Sequence, residues 1–223
     1  MTKKILLLSF LGLAMGFGGQ AQESISQPAL AKELARMAHW DQIAAYIPQG
    51  PYKEWSKKKW RTFKDSVFTT HHQRCDEIFV QYGYPGFDQV GKEGENNFWL
   101  MVQHSDHAPD FQQKILTAMK EEVDKKNANG RHFGLLQDRV NLNTGKSQVY
   151  GTQVTYNMKI CQAYPKNLAD SATVNQRRAT VGLEPLEVYL NDMSSMHFEM
   201  NREYYEKKGV TEPTLYKIPS AKD

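Results

Sequence analysis

Residues 95–109 read ENNFWLMVQHSDHAP, and this stretch decides the fold that we expect. Its apolar side chains, residues 98–102, cover nearly every side of a helix, which is typical of a helix that crosses the middle of a core. Pro109 disfavours helical geometry at Ala108 but suits the first position of a new helix. We therefore predict a buried helix over residues 95–103, a polar turn, and a second helix that begins at Pro109.

Apolar residues at three- and four-residue spacing predict further helices on both sides of this stretch. We expect helices over residues 27–46, 53–82 and 185–206, and we expect the helix from Pro109 to close at residues 127–130. A short helix through Leu135 and Leu136 leads into two predicted strands, residues 140–142 and 148–150, around an Asn/Gly turn. The expected fold class is mainly α, a multi-helix single domain with one small antiparallel β-hairpin near residues 138–154.

The N-terminus has the pattern of a secretory signal peptide. Lys3 and Lys4 precede an apolar run over residues 5–14, and Gly19 and Ala21 stand at the small-residue cleavage positions. The run is shorter than the roughly 20 apolar residues of a spanning helix, so we expect no membrane span. The predicted organisation is a signal peptide (1–21), an N-terminal helical extension (22–75), a core helical domain (76–206) and a flexible tail (207–223). The protein is predicted to be exported, either periplasmic or secreted.

The charge balance excludes one class of partner. The chain carries 28 basic and 25 acidic side chains, and loss of the two lysines in the signal peptide would leave a net charge of +1. A nearly neutral domain lacks the electrostatic footprint of a nucleic-acid-binding protein, so nucleic acid is not an expected partner. The basic run at residues 57–59, with Arg61, is most simply a solvated helix face; the alternative is a contact with phosphates or other envelope anions.

Cys75 and Cys161 are the only two cysteines of the chain. Export would place them in an oxidising compartment, where a disulfide between them would stabilise the fold by about 4–5 kcal/mol in the chain-entropy model. The alternative is two buried thiols that act as small apolar residues. Neither cysteine has neighbours typical of a nucleophile, so cysteine catalysis is not expected.

The polar turn after the buried helix is the first part of a candidate site. His104, Asp106 and His107 combine imidazoles that titrate near neutral pH with a carboxylate that can orient them. His104 and His107 could also hold a metal ion at i,i+3 spacing, although no third ligand is evident nearby and no cofactor is predicted. The plainer alternative is that these side chains cap helix ends.

The second part of the candidate site follows the short helix. Arg139 could clamp an anion with its planar guanidinium, or could form a buried pair with Asp138. Gln153 offers a donor and an acceptor together, which suits an amide or a sugar. Gln103 and Tyr150 complete the predicted ligand-binding residues. We expect Arg177 and Arg178 at the surface, and His71, on an apolar stripe, in the core.

Short motifs in a fixed order carry a resemblance to a known family. They are residues 82–86 (YGYPG), 90–94 (VGKEG), 103–107 (QHSDH), 111–112 (FQ), 138–140 (DRV), 145–148 (GKSQ), 150–153 (YGTQ) and 177–183 (RRATVGL). Over residues 76–190 the chain thereby resembles the bacterial family known as domain of unknown function 6624. It departs from that family at Tyr84, where tryptophan is usual, and at Ala108, where an acid often caps the helix at a benefit of about 1 kcal/mol.

The resemblance implies one polar site that includes His104, Asp106, His107, Arg139 and Gln153, and it implies no established activity. Our first hypothesis is an exported hydrolase in which His104 or His107 is the general base and Asp106 orients it. Arg139 would hold substrate charge, while Tyr150 and Gln153 would orient the substrate.

The alternative is a non-catalytic envelope protein that binds a small peptide or glycan ligand. Both hypotheses require Arg139 and Gln153 to lie within several ångströms of residues 104–107, with His104 more buried than His107. The sequence leaves the oligomeric state open.

Overall fold

The computed structural model describes residues 25–218. The predicted signal peptide lies outside these residues, so export remains an expectation. No helix within the described range is long and apolar enough to cross a membrane.

The described chain is mainly α with one two-stranded antiparallel sheet, so the predicted fold class is confirmed. A short 3-10 helix (Gly50–Glu54) precedes the second α-helix. The elements are α1 (Pro28–Ala45), α2 (Lys57–Tyr82), α3 (Phe87–Gln103), α4 (Pro109–Asp124), α5 (Gly130–Asn143), β1 (Val154–Asn157), β2 (Gln162–Pro165), α6 (Val174–Thr180), α7 (Leu186–Met200) and α8 (Arg202–Glu206).

Helix α3 lies at the centre of the largest core, as its composition predicts. Phe98, Met101 and Val102 are fully buried, and α1, α2, α4 and α5 all contribute side chains to the same cluster. The helix begins at Phe87, earlier than predicted, because it continues through a kink at Gly91, where φ is +72°. Helix α1, predicted as part of an extension, packs along α3 and supplies Leu30 and Leu34 to this core.

The predicted hairpin near residues 138–154 is wrong in its position. Residues 140–142 form the last turn of α5, and the strands that do pair are β1 and β2, in a segment read from sequence as a plain connection. Residues 148–150 belong to neither strand: Gln148 forms an isolated parallel bridge with Leu168, and the buried carboxylate of Asp138 accepts the N–H groups of Val149 and Tyr150 at 2.7 and 3.0 Å. The Asp138 side chain thus accepts backbone N–H groups that would otherwise donate to a neighbouring strand.

The remaining elements form a smaller second layer. Helix α7 packs on β2, and Leu186, Leu190 and Ala163 form its core. The predicted helix over residues 185–206 is broken at Asn201, where α7 gives way to α8. Of the predicted flexible tail, Tyr216 is anchored, because its hydroxyl donates to Ala163 O at 2.8 Å.

Two side-chain expectations are decided by this packing. Cys75 and Cys161 are both free and buried, and they lie in separate hydrophobic clusters, so the disulfide is not formed and the alternative of two buried thiols holds. Arg178, expected at the surface, is fully buried; it donates to Glu184 O and to Tyr150 O, each at 2.6 Å. Its guanidinium fastens α6 to the segment that follows α5.

Candidate functional site

Asp106 is the centre of the polar contacts between the α3–α4 turn and α5. Arg139 grips its carboxylate in a bidentate fashion, with Nε 2.7 Å from Oδ1 and Nη2 2.6 Å from Oδ2. Asn143, one helical turn beyond Arg139, donates to Oδ1 at 3.0 Å, and Gln112 of α4 donates to it at 3.3 Å. The carboxylate therefore has donors from two helices and a fixed orientation.

The turn that carries Asp106 is itself held by local hydrogen bonds. The Ser105 hydroxyl donates to Met101 O at 2.9 Å, and Ala108 N donates to Ser105 O at 2.9 Å. The buried amide of Gln112 reaches back to Val102 O at 3.0 Å. These bonds satisfy carbonyl groups at the end of α3, so the backbone of the turn is held in place although Asp106 and His107 are exposed.

On the opposite side, Gln148 positions two further residues of the site. Its fully buried side chain accepts from Gln153 N at 2.7 Å and donates to Gln153 O at 2.9 Å and to Lys166 O. Lys166 directly follows β2, and Lys166 N donates to Gln153 O at 2.9 Å. The hairpin thus brings Lys166 beside Gln153, across from Asp106.

These residues line one cleft of about 440 Å³, a volume within the usual range for small-molecule sites. The lining consists of Asp106, Arg139, Leu142, Asn143, Gln153 and Lys166. Asp106 Oδ1 receives three donors, whereas Oδ2 receives only Arg139 Nη2 among the described residues. Since a carboxylate has about four acceptor positions, Oδ2 keeps capacity for a further donor.

The protonation state of Asp106 follows from its contacts. Partial burial would raise the pKa of this carboxyl, but the hydrogen bonds and charge of Arg139, together with Asn143 and Gln112, outweigh burial and lower the pKa. Asp106 is therefore an anion at neutral pH, paired with a permanent cation.

His104 belongs to a different cluster, which we call the histidine cluster: Asp41, His71 and His104. His104 Nδ1 lies 2.6 Å from Asp41 Oδ2, and His71 Nδ1 lies 3.7 Å from Asp41 Oδ1. Asp41 is fully buried. Burial would raise the pKa of Asp41, but the hydrogen bond from His104 and the nearby ring of His71 outweigh it, and the pKa is lowered.

His107 is exposed and pairs with a neighbouring imidazole. Its Nε2 lies 3.2 Å from His72 Nδ1, and the His72 ring packs on Phe111 with centroids 4.5 Å apart. Burial, and then the proximity of His107, lower the pKa of His72. Within residues 25–218 no group of three or more histidine, cysteine, aspartate or glutamate side chains could hold a metal ion.

The structure brings together only some of the predicted site residues. Asp106, Arg139 and Gln153 converge on the cleft, and His104 is more buried than His107, as expected. Asp106 does not orient either histidine. The carboxylate that lies beside His104 Nδ1 is that of Asp41, and the Asp106 carboxylate is bound by Arg139. Asp138 is likewise not the partner of Arg139.

Gln103 and Tyr150 do not line the cleft. Gln103 is half-buried and offers its carbonyl to Gln112, and Tyr150 is buried in the main core. Burial raises the pKa of the Tyr150 hydroxyl, and the nearby Asp138 charge adds to that effect.

Sequence reasoning missed Asp41, Asn143 and Lys166. Asp41 lies seven residues after Leu34, at the helical spacing of the buried residues on α1. This spacing could have predicted a buried carboxylate. Asn143 lies one turn after Arg139 but was read as a turn residue. Lys166 gave no signal, because its position depends on a hairpin that the sequence reading placed elsewhere.

Comparison with known proteins gives one match. The model of a family of unknown function (DUF6624) matches residues 28–198 of the chain, a longer region than the motifs indicated. No curated protein and no solved structure matches the chain.

Proposed function

The chain belongs to the family of unknown function DUF6624, and we propose that it binds a small polar ligand, a peptide or glycan fragment that carries a carboxylate. The observation that carries this proposal is the fixed Asp106 carboxylate, which faces the cleft with Oδ2 still able to accept a hydrogen bond. A hydroxyl or an amide N–H of the ligand would bind there.

The other lining groups support a ligand with both donors and acceptors. Gln153 and Asn143 provide amide oxygens, and no described residue donates to either of them. Sugars and short peptides carry the hydroxyl and N–H groups that such oxygens bind. A bare inorganic anion would leave these acceptors unused.

Charge specifies one more feature of the ligand. Arg139 is neutralised by Asp106, whereas Lys166 is exposed and forms no ion pair with any described residue, so the lining keeps one uncompensated positive charge. A single carboxylate on the ligand would balance it. An ammonium group on the ligand would instead be repelled.

The test is a binding assay with matched probes on the purified protein. N-acetylmuramate, glucuronate and N-acetyl-alanyl-glycine would be compared with N-acetylglucosamine, glucose and N-acetyl-alanyl-glycinamide, and each would be scored by the rise in Tm and by calorimetry. We expect a carboxylate-bearing probe to bind more tightly than its uncharged counterpart. Lys166→Gln should weaken that probe about tenfold, the effect of one charged hydrogen bond.

Lys159→Gln is the matched control, because Lys159 lies in the turn between β1 and β2 and does not line the cleft. It should leave binding unchanged. Absence of binding for every probe, or equal weakening by both lysine variants, would contradict the proposal.

A second candidate function is hydrolysis with His104 as the general base. It is favoured by the 2.6 Å contact between His104 Nδ1 and Asp41 Oδ2. An ionised Asp41 fixes the proton on Nδ1, so Nε2 is the basic nitrogen, and no described residue bonds to it. Since no histidine lines the cleft, this function has weaker geometric support than binding.

Hydrolysis would be tested on chromogenic ester and peptide anilide substrates. His104→Gln should abolish turnover, whereas His107→Gln, at the exposed histidine directly after Asp106, should retain it. Equal turnover in the two variants would exclude His104 as the base.

A further inference from the structure

The first half of α2 contains no buried residue. The helix spans 26 residues, but its buried residues are His71, Cys75 and Ile78, all in the second half. The 3-10 helix that precedes it has no buried residue. We call residues 50–66 the aromatic tip.

The tip has an aromatic cluster of its own. Trp55, Trp60 and Phe63 lie with ring centroids 5.3–6.3 Å apart, and Tyr52 packs on the same rings at 5.0–5.8 Å. None of the four belongs to a hydrophobic core cluster. These rings are partly buried, so a part of their apolar surface stays in contact with water.

The tip is also the most basic segment of the described chain. It holds six basic side chains (Lys53, Lys57, Lys58, Lys59, Arg61 and Lys64) against Glu54 and Asp65, a net charge of +4, whereas the entire chain has +3. The rest of the protein is therefore slightly acidic. None of the six basic groups forms an ion pair with a described residue; Lys59 Nζ lies 4.0 Å from the centroid of the Trp55 ring.

A cleft of about 570 Å³ opens between the rings and the lysines. It is lined by Trp55, Ser56, Lys58, Lys59, Thr62, Phe63 and Ser66. The apolar surface comes from the rings, and the ammonium and hydroxyl groups stand around it.

We propose that the aromatic tip docks the protein on the surface of an anionic phospholipid bilayer. Tryptophan and tyrosine favour the depth of the head groups, and lysines beside them reach the phosphates. Clustered basic residues add attraction to anionic lipid, and the combination of both signals gives stable but reversible binding. No described helix spans a membrane, so this contact is peripheral.

The arrangement of the rings favours lipid over nucleic acid. Trp55 meets Tyr52, Trp60 and Phe63 edge to face, at interplanar angles of 87°, 66° and 89°, and Tyr52 stacks on Phe63 at 15°, so each ring of the cluster packs on the others. Single-stranded nucleic acid binds on ring faces that are open to successive bases. A cluster of rings that pack on one another instead presents one compact apolar surface that can insert between lipid head groups.

The test is co-sedimentation with vesicles that contain 30% phosphatidylglycerol in phosphatidylcholine. It uses the chain from Ile25 onward, because all described helices and both strands lie within it and the apolar run over residues 5–14 would itself bind lipid. Binding to pure phosphatidylcholine should be at least tenfold weaker. Lys58→Gln/Lys59→Gln should weaken binding to the anionic vesicles by roughly 10- to 30-fold, and Trp55→Ala should also weaken it.

Lys207→Gln/Lys208→Gln is the matched control, since it removes the same charge from an exposed site after α8. It should change binding less than threefold. Equal losses in the two double variants would show that overall charge, not the tip, drives binding, and would overturn the proposal. So would failure to sediment with vesicles, tighter binding to single-stranded RNA than to vesicles, or self-association that Trp55→Ala abolishes.

Discussion

Asp41 and Asp106 are two carboxylates that the fold treats in opposite ways. Asp41 is fully buried, and its Oδ2 has two partners, His104 at 2.6 Å and Gln42 at 3.4 Å, while its Oδ1 is unpaired among the described residues. Asp106 is nearly half-exposed and has donors from Arg139, Asn143 and Gln112. Their partners, His104 and Arg139, are both predicted site residues, and His104 lies only two positions from Asp106.

The difference separates a group that the fold must stabilise from one that is available to a ligand. A buried carboxylate costs several kcal/mol to desolvate, so Asp41 depends on its histidines. Asp106 is screened by water and its charge is already paired, so its contacts add little to stability. Substitution of Asp41 should therefore lower the stability of the fold, whereas substitution of Asp106 should mainly weaken ligand binding.

The largest effect should come from Asp41→Ala. Loss of one member of a buried charged group leaves the other polar groups uncompensated, so we expect the free energy of unfolding to fall by about 3–5 kcal/mol. The measurement is urea denaturation at pH 7. Asp106→Ala is the matched control and should cost about 1 kcal/mol or less. Similar losses of unfolding free energy in both variants would contradict the contrast between Asp41 and Asp106.

The loss of stability at low pH should depend on Asp41. Its pKa is lowered in the folded state, so its contribution is full above the unfolded pKa of about 3.9 and is lost as pH falls through the folded value. The stability difference between wild type and Asp41→Asn should therefore be largest near pH 6 and should shrink towards pH 2. Denaturation at a series of pH values measures it. A difference that does not change with pH would contradict the assignment.

The smallest effect on stability should come from Arg139→Lys. Lysine keeps the charge but not the planar pair of donors, so the bidentate grip on Asp106 is lost at a cost of about 0.5 kcal/mol at this partly exposed site. Affinity for a carboxylate-bearing probe should fall more than stability does, because Asp106 would no longer be fixed. A loss of stability without any change in affinity would place Arg139 outside the binding site.

The helices were predictable because their signals are local. The continuous apolar run over residues 98–102 predicted the buried part of α3, and the four-residue spacing of Leu30 and Leu34 predicted α1. Pro109 marks a helix start that the structure has. Asp106 and Arg139 were also recognisable, since a carboxylate and a guanidinium next to buried helices suggest a site. Arg139 binds Asp106, and Gln153 lines the same cleft.

The errors have a common origin in buried side chains that replace backbone partners. Residues 148–150 have the sequence pattern of a strand, but the N–H groups of Val149, Tyr150 and Thr152 donate to the Asp138 carboxylate and not to a neighbouring strand. Arg178 likewise donates to backbone carbonyl oxygens, those of Glu184 and Tyr150, although adjacent arginines in a sequence usually predict an exposed position. Propensity cannot reveal such contacts, because they join residues that are distant in sequence.

The sequence by itself therefore determined the class of fold, the central helix and the residue types of the site. Tertiary structure alone decided which carboxylate serves which partner. His104 and Asp106 are two residues apart, and the end of α3 turns them towards different neighbours, Asp41 on α1 and Arg139 on α5. The choice depends on which helix packs against which side of the turn, and packing of distant helices is settled by the whole core rather than by local preference.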